Sequence, residues 1–198
     1  MNLPKNSSRK VPIQSVKSAS DDFKNLLNRK FNPDEPNKIW AGDITYLKVG
    51  SKWCYLCVVI DLFSRKVISW QLCDKPDAQL VINTFRKAYR SRNCPQGLLF
   101  HSDRGTQYTS AAFRKLLDEL NVVQSFSAKG CPFDNAVVEA FFKFLKAEET
   151  NRKSYSTLAD LRISLFEYID GFYNVKRPHS ATHFLSPNDF EAKFFSHC

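Results

Sequence analysis

Two segments rich in β-branched and aromatic residues, Ile39–Val49 and Lys52–Asp61, flank the dipeptide Gly50-Ser51. A two-residue break between two such runs is a hairpin signal, and it commits this part of the chain to a sheet. With the turn at Gly50-Ser51, Val49 opposes Lys52, Asp43 opposes Val58 and Asp61 opposes Trp40. Lys66–Leu72 reads as a third strand after a turn at Phe63-Ser64-Arg65, so three antiparallel strands come in a row. The run Tyr55–Ile60 is continuously hydrophobic, as expected of a strand covered on both faces.

The pattern then changes period. Asp77–Arg92 places Leu80, Val81, Thr84, Phe85 and Ala88 at helical spacing. Gly97–His101 is a short apolar strand, Ser110–Leu120 a helix with Phe113, Leu116, Leu117 and Leu120 on one face, and Val122–Phe126 a fifth strand. One helix follows Asp134 to about Glu149, and another covers Thr157–Tyr173. The order β-β-β-α-β-α-β-α-α predicts an α/β protein of the ribonuclease-H-like kind. That is a mixed five-stranded sheet, three antiparallel strands followed by αβ units, with helices on both faces. Upstream, Phe23–Phe31 reads as a short helix, and Asn32–Asn37 as a linker, because prolines at 33 and 36 forbid a continuing helix. The expected division is a polar extension and linker over 1–37, the core over 38–175 and a C-terminal tail over 176–198.

Charge narrows the partner. The chain carries 29 Lys and Arg against 20 Asp and Glu, a net charge of +9. Such an excess favours a polyanion, most often nucleic acid. No segment is a basic tail, so a nucleic-acid surface has to be assembled by folding. No apolar run approaches the ~20 residues that span a bilayer, and the first ten residues lack the apolar stretch of a signal peptide. No membrane role is expected; the expected place is the cytoplasm, at the nucleoid when DNA is bound. The cysteines at 54, 57, 73, 94, 131 and 198 are scattered and read as buried thiols of a reducing compartment. Cys54 and Cys57, three apart on a strand, point to opposite faces, which argues against one zinc ion holding both.

Three acids stand where a solvated charge is unexpected. Asp43 lies inside the first strand, where charge is depleted. Asp103 follows the short strand ending at His101, where ligands of parallel sheets commonly bind. Glu139 interrupts the apolar stretch Ala136–Phe142. Three carboxylates brought together repel unless cations lie between them, and hard divalent ions with oxygen ligands answer that need. Asp61 reads as a turn-side residue, about 10 Å along the ladder from Asp43 at ~3.3 Å per residue. Asp134 reads as the N-cap of the helix that carries Glu139.

Thirty-five residues separate Asp103 from Glu139, and with Asp43 upstream the set resembles the Asp-Asp-35-Glu signature of retroviral integrases and related transposases. Longer blocks carry the same resemblance: Trp40-Ala41-Gly42-Asp43-Ile44-Thr45-Tyr46, His101-Ser102-Asp103-Arg104-Gly105-Thr106-Gln107-Tyr108, Gly130-Cys131-Pro132-Phe133-Asp134-Asn135-Ala136 before Glu139, and Tyr173-Asn174 with Arg177-Pro178-His179. In this order they resemble the integrase core of an insertion-sequence transposase made as a second reading frame. The resemblance implies a polynucleotidyl transferase in which Asp43, Asp103 and Glu139 hold two Mg²⁺ ions, with Mn²⁺ able to substitute. The implied partners are the element's DNA ends and target DNA, in a homo-oligomer. Family members of this type usually carry a helix-turn-helix ahead of the core, and none is readable here. End recognition is therefore expected from a missing N-terminal region or a separate helix-turn-helix protein. The stretch after His179 departs from the family's usual Gly-containing pattern.

Four further residues are candidates for DNA contact. Lys143 and Lys146 follow Glu139 at i+4 and i+7 and share its helix face, while Phe141, Phe144 and Leu145 turn toward the core. Arg104 and Gln107 lie in the loop after Asp103, where Gly105 permits the backbone to turn. Two other readings fit the same residues: a metal-dependent nuclease that cuts without joining, and a non-catalytic DNA-binding transposase remnant.

Overall fold

The computed structural model of the protein describes residues 23–196. Strands β1 (Ile39–Val49), β2 (Lys52–Asp61) and β3 (Val67–Cys73) are followed by α1 (Ala78–Ser91), β4 (Leu99–Ser102), α2 (Thr106–Thr109), α3 (Ala111–Glu119), β5 (Val123–Phe126), α4 (Ala136–Leu145), α5 (Leu158–Phe166) and α6 (Pro187–Phe195). The sheet has five strands in the order β3-β2-β1-β4-β5. β1 pairs antiparallel with β2 in the expected register, Asp43 opposite Val58 and Trp40 opposite Asp61. β1–β4 and β4–β5 are parallel, so the sheet is mixed, as the element order requires.

Helices cover both faces. On one, Leu56, Val58 and Ile60 of β2 pack with Phe141 and Leu145 of α4 and Leu161 and Leu165 of α5. On the other, Trp40, Cys57 and Val59 pack with Leu80 and Phe85 of α1 and with Phe113 and Leu117 of α3. Cys54 and Cys57 go to opposite faces, each in a separate core. Asp77 and Ser110 cap α1 and α3 through their side chains, and Thr157 and Asp160 close a reciprocal box at the start of α5. α4 and α5 both end by loosening into π-helical turns, Lys146–Thr150 and Glu167–Tyr173. Among the described residues no helix is long and apolar enough to cross a membrane.

Several expectations need correction. Phe23–Phe31 forms no helix: Asn28 and Arg29 take left-handed φ values of 46° and 58°. The segment is instead strapped to β5, with the amides of Leu26 and Leu27 donating to Ser125 Oγ. The remainder of the expected extension lies outside the described residues. The stretch from 176 onward, expected as a tail, contains α6, which Ser186 caps with Pro187 in its first turn. Glu191 of α6 is buried against the body of the protein, where Arg92 grips both its oxygens at 2.7 and 3.0 Å and Ser64 donates at 2.7 Å. On α4, Phe142 is buried beside Phe141, while Phe144 is half-buried and carries the Arg177 guanidinium 3.9 Å from its centroid.

Candidate active site

The β1–β4 register brings two of the acids together. Ala41 pairs with His101, and β4 ends at Ser102. Continued by two residues, that register sets Asp43 beside Asp103, on neighbouring strands spaced about 4.8 Å apart. Gly42 makes this possible. A β-carbon there would lie 2.6 Å from the tip of the Phe100 ring and 3.3 Å from the Val58 carbonyl. Only a bare backbone lets Phe100 pack across β1 next to Asp43. A glycine inside a strand is a readable sign of such a close approach, and it had no place among the site residues read from the sequence.

The third acid arrives on α4. Glu139 sits in the first turn of that helix. It shares with Asp43 and Asp103 a cleft of about 500 Å³, whose far wall is the loop Ser127–Cys131 with Asn135. Asp103 and Glu139 are exposed and Asp43 is half-buried. The Asp43 carboxyl is pushed up to about 7, first by burial, then by the charge of Asp103, with Glu139 adding to it; the Ile44 amide and Lys146 pull the other way. None of the three acids forms an ion pair among the described residues. Nor does any group of three His, Cys, Asp or Glu side chains there close up as a ready metal cluster. The three carboxylates line one cleft as repelling neighbours. An all-oxygen donor set with uncompensated negative charge fits hard divalent cations, not zinc or a soft metal.

The loop after β4 wraps around Asp103. The Gly105 amide donates to Asp103 Oδ1 at 2.9 Å. Gly105 has an ordinary φ of −56°, so the constraint is space: a β-carbon would meet Asp103 Oδ1 at 3.0 Å and Gln107 Oε1 at 3.1 Å. Arg104 and Gln107 already have partners within the chain. Arg104 donates to the carbonyls of Ser127 (2.9 Å) and Phe23 (3.1 Å), and Gln107 Nε2 to the Pro76 carbonyl (2.6 Å). Lys143 is exposed. Lys146 lies with its ammonium 4.8 Å from the centroid of Tyr46. Burial lowers its pKa, against the pull of Asp43.

Other members of the motif blocks hold the frame. His101 is buried between the hydroxyls of Ser125 (2.9 Å) and Ser127 (3.2 Å), and burial pushes its pKa down to about 4, so it ties β4 to β5 as a neutral ring. Asp134 is not the cap of α4; that position is Asn135, which makes no capping bond. Asp134 instead accepts from Arg29 (2.8 Å), Asn25 (2.8 Å) and the Ala128 amide (2.9 Å), binding the strapped segment and the cleft wall together. Asp61 is the turn-side residue expected, accepting from the amides of Asn37 and Phe63. In the last block Asn174 gives and takes a 3.0 Å bond with the Val67 backbone at the edge of the sheet. There too Arg177 clasps Glu148 at 2.7 Å.

Residues 33–132 and 139–195 match two family models, each described as an integrase core domain. The transposase for insertion sequence element IS904 of Lactococcus lactis subsp. lactis (strain IL1403) is 39% identical over 187 residues, covering 94% of this chain and 74% of that protein. Transposase InsF for insertion sequence IS3A of Escherichia coli (strain K12) is 44% identical over 169 residues; the match covers 85% of this chain and 59% of that protein. Among solved structures, the HTLV-2 integrase catalytic core domain in complex with magnesium superposes with a TM-score of 0.60 at 19% identity, covering 81% of this chain and 99% of that one. The Mos1 transposase catalytic domain with Raltegravir and Mn gives 0.55 at 23% identity, covering 69% and 72%. These structures share the fold.

Proposed function

Because the chain belongs to the integrase core domain family, we propose that it is the catalytic part of an insertion-sequence transposase, cutting DNA at the element's ends and joining the freed 3′ ends to target DNA. The observation that carries this reading is the single cleft shared by Asp43, Asp103 and Glu139 with no cation paired to any of them among the described residues. Those three carboxylates would hold two Mg²⁺ or Mn²⁺ ions, which when bound activate an attacking oxygen and stabilise a leaving one.

The chain's own part is positioning and charge. β1 and β4 fix two carboxylates on adjacent parallel strands, and α4 supplies the third from a different layer, so the acids hold their places without needing one another. The Gly105 amide orients Asp103, and the Arg104 guanidinium braces the loop around it against Ser127. An open cleft with an oxygen-lined floor suits an extended phosphodiester, and Lys143 and Lys146 on the helix beyond Glu139 suit the phosphates that continue it. Water attacks the phosphodiester first, and the 3′-hydroxyl so released attacks the second phosphodiester in turn. No covalent link between protein and DNA is required. The protein acts in the cytoplasm as a homo-oligomer, with end recognition supplied by a preceding region or a separate helix-turn-helix protein.

The test is an oligonucleotide carrying the element's end, labelled on the transferred strand and incubated with the protein and Mg²⁺ or Mn²⁺. Cleavage followed by joining to a second duplex is the expected result. Cleavage without joining makes the protein a nuclease, and neither makes it a binding remnant.

A further inference from the structure

A second hollow, of about 490 Å³, lies farther along β1, and Tyr46 in its wall also lines a smaller hollow with Asp43 and Asp103. Tyr46, Trp53 and Tyr155 give it aromatic walls, and Lys48 and Lys146 give it cations, while Lys153 at its rim is ion-paired with Glu149; among the described residues no Asp or Glu lines it. Tyr46 is 58% exposed and Trp53 54%, a large apolar surface for two rings on a sheet. The β1–β2 register explains their meeting. Tyr46 opposes Tyr55 and Lys48 opposes Trp53, so Tyr46 and Trp53 are diagonal neighbours on one face. Their centroids lie 5.1 Å apart with the rings at 87°. β4 pairs with β1 only over Ile39–Ala41, so the outer half of the hairpin runs on without that neighbour.

Lys146 joins this hollow to the acids. Its ammonium stands over the Tyr46 ring, and it interacts electrostatically with Asp43. From Asp43 to Tyr46 is three residues of strand, about 10 Å at ~3.3 Å each; their side chains leave opposite faces of β1, yet both line one smaller hollow together with Asp103. That distance along β1 is roughly three steps of a stacked nucleic-acid strand, whose rise is about 3.4 Å.

We propose that this hollow binds an unpaired nucleobase of the DNA strand that occupies the acid cleft, the base lying on Tyr46 and Trp53 and its flanking phosphates on Lys48 and Lys146. The inference rests on the reading of the cleft as a strand-cutting site. A base inside a duplex has both faces stacked, so an aromatic ring can take only a base freed from it. A lining without carboxylates among the described residues, with Lys48 and Lys146 in it, suits an anionic strand and opposes a basic protein segment.

The experiment compares the full chain with the Tyr46→Ala/Trp53→Ala variant in binding two oligonucleotides: a fork with unpaired bases beside the junction, and a blunt duplex of the same sequence. The variant is expected to lose roughly 5- to 150-fold in affinity for the fork, the range of base–aromatic stacking, and almost nothing for the duplex. Removing single bases from the fork probes the same contact without altering the protein. One abasic position should cost the wild type the same factor and the variant none, which keeps the test sharp even where the double variant folds poorly. Equal losses on fork and duplex, or no abasic position to which the wild type responds, would overturn the proposal. So would a variant that changes the oligomeric mass and leaves fork affinity intact, which makes the hollow an interface between copies. Cutting of the same fork by the wild type in Mn²⁺ is read separately, and its failure overturns the reading of the cleft, not that of the base site.

Discussion

Asp43 and Glu191 are both carboxylates that the fold draws out of water, and they keep opposite company. Glu191 on α6 is held by Arg92, Lys66 and Ser64 at 2.7–3.3 Å; burial alone would raise its pKa, but these partners hold it below the usual carboxylate range. Asp134 and Glu148 are likewise lowered by Arg29 and Arg177. Asp43 has the Ile44 amide as its one hydrogen-bond partner among the described residues and no ion pair there, and burial with the charges of Asp103 and Glu139 pushes it up to about 7. Where an acid fastens elements together, the chain supplies its counter-charge. In the cleft no ion pair reaches the three acids among the described residues. Asp61 marks the boundary of this rule: burial raises it to about 6, yet both its oxygens are taken by backbone amides, so it is a turn staple.

The largest expected effect is on chemistry. Asp43→Asn, Asp103→Asn and Glu139→Gln should each lower cleavage and joining by three or more orders of magnitude, on the order of the loss when one member of a catalytic unit is removed. Pairs should cost little more than singles. A variant that keeps near-wild-type cleavage on labelled ends would remove its residue from the site.

Next comes the paired region. Arg92→Met leaves Glu191 buried with Lys66 and Ser64 alone and should cost about 3 kcal/mol in urea unfolding at neutral pH. Adding Glu191→Leu should return most of it. Because the folded pKa of Glu191 lies below its unfolded value, the stability it contributes is present above the ordinary carboxylate pKa and fades as the pH falls through the folded one. The Arg92→Met deficit should therefore shrink in acid.

Asp43 should show the reverse sign. Its folded pKa exceeds its unfolded value of 3.8, so its charge weighs against folding progressively as pH rises from about 4 through 7. In chelator-treated buffer, Asp43→Asn should stabilise the protein by about 2 kcal/mol at pH 8. That is roughly half of what ~1.4 kcal/mol per pKa unit gives, since the cleft is open to water. At pH 4 the gain should vanish, and a gain equal at both pH values would place its cause outside this charge.

The smallest effect is on binding. Replacing Lys143 and Lys146 together by Ala should reduce the slope of log K against log salt by roughly two, about one per phosphate contact. An unaltered slope would leave both lysines in solvent.

How much of this was legible follows the range of the interactions. The hairpin register was readable to the residue, because a two-residue turn and a period of two leave no freedom. That the three acids share one cleft was readable because a charge inside a strand, just past a strand end or in an apolar helix stands out against its neighbours. Asp134 was misread because its partners, Asn25 and Arg29, lie more than 100 residues upstream and local spacing cannot show them. Phe142 was passed over for Phe144 because one α-helical turn does not reveal that α4 slackens at Lys146 and that Arg177 returns to cover Phe144. The helix at Pro187 carried a local signal, Ser186-Pro187 with Asp189, that was there to be read.

The central claim is that Asp43, Asp103 and Glu139 leave their charge for divalent cations to complete. The most direct measurement is anomalous diffraction from crystals of the protein soaked in Mn²⁺. The account predicts manganese between these three side chains, with Asp43 and Asp103 both in contact and the Arg92–Glu191 pair unaltered. Manganese bound elsewhere with the cleft acids turned to solvent, or a lysine or arginine folded in to neutralise them, would contradict it.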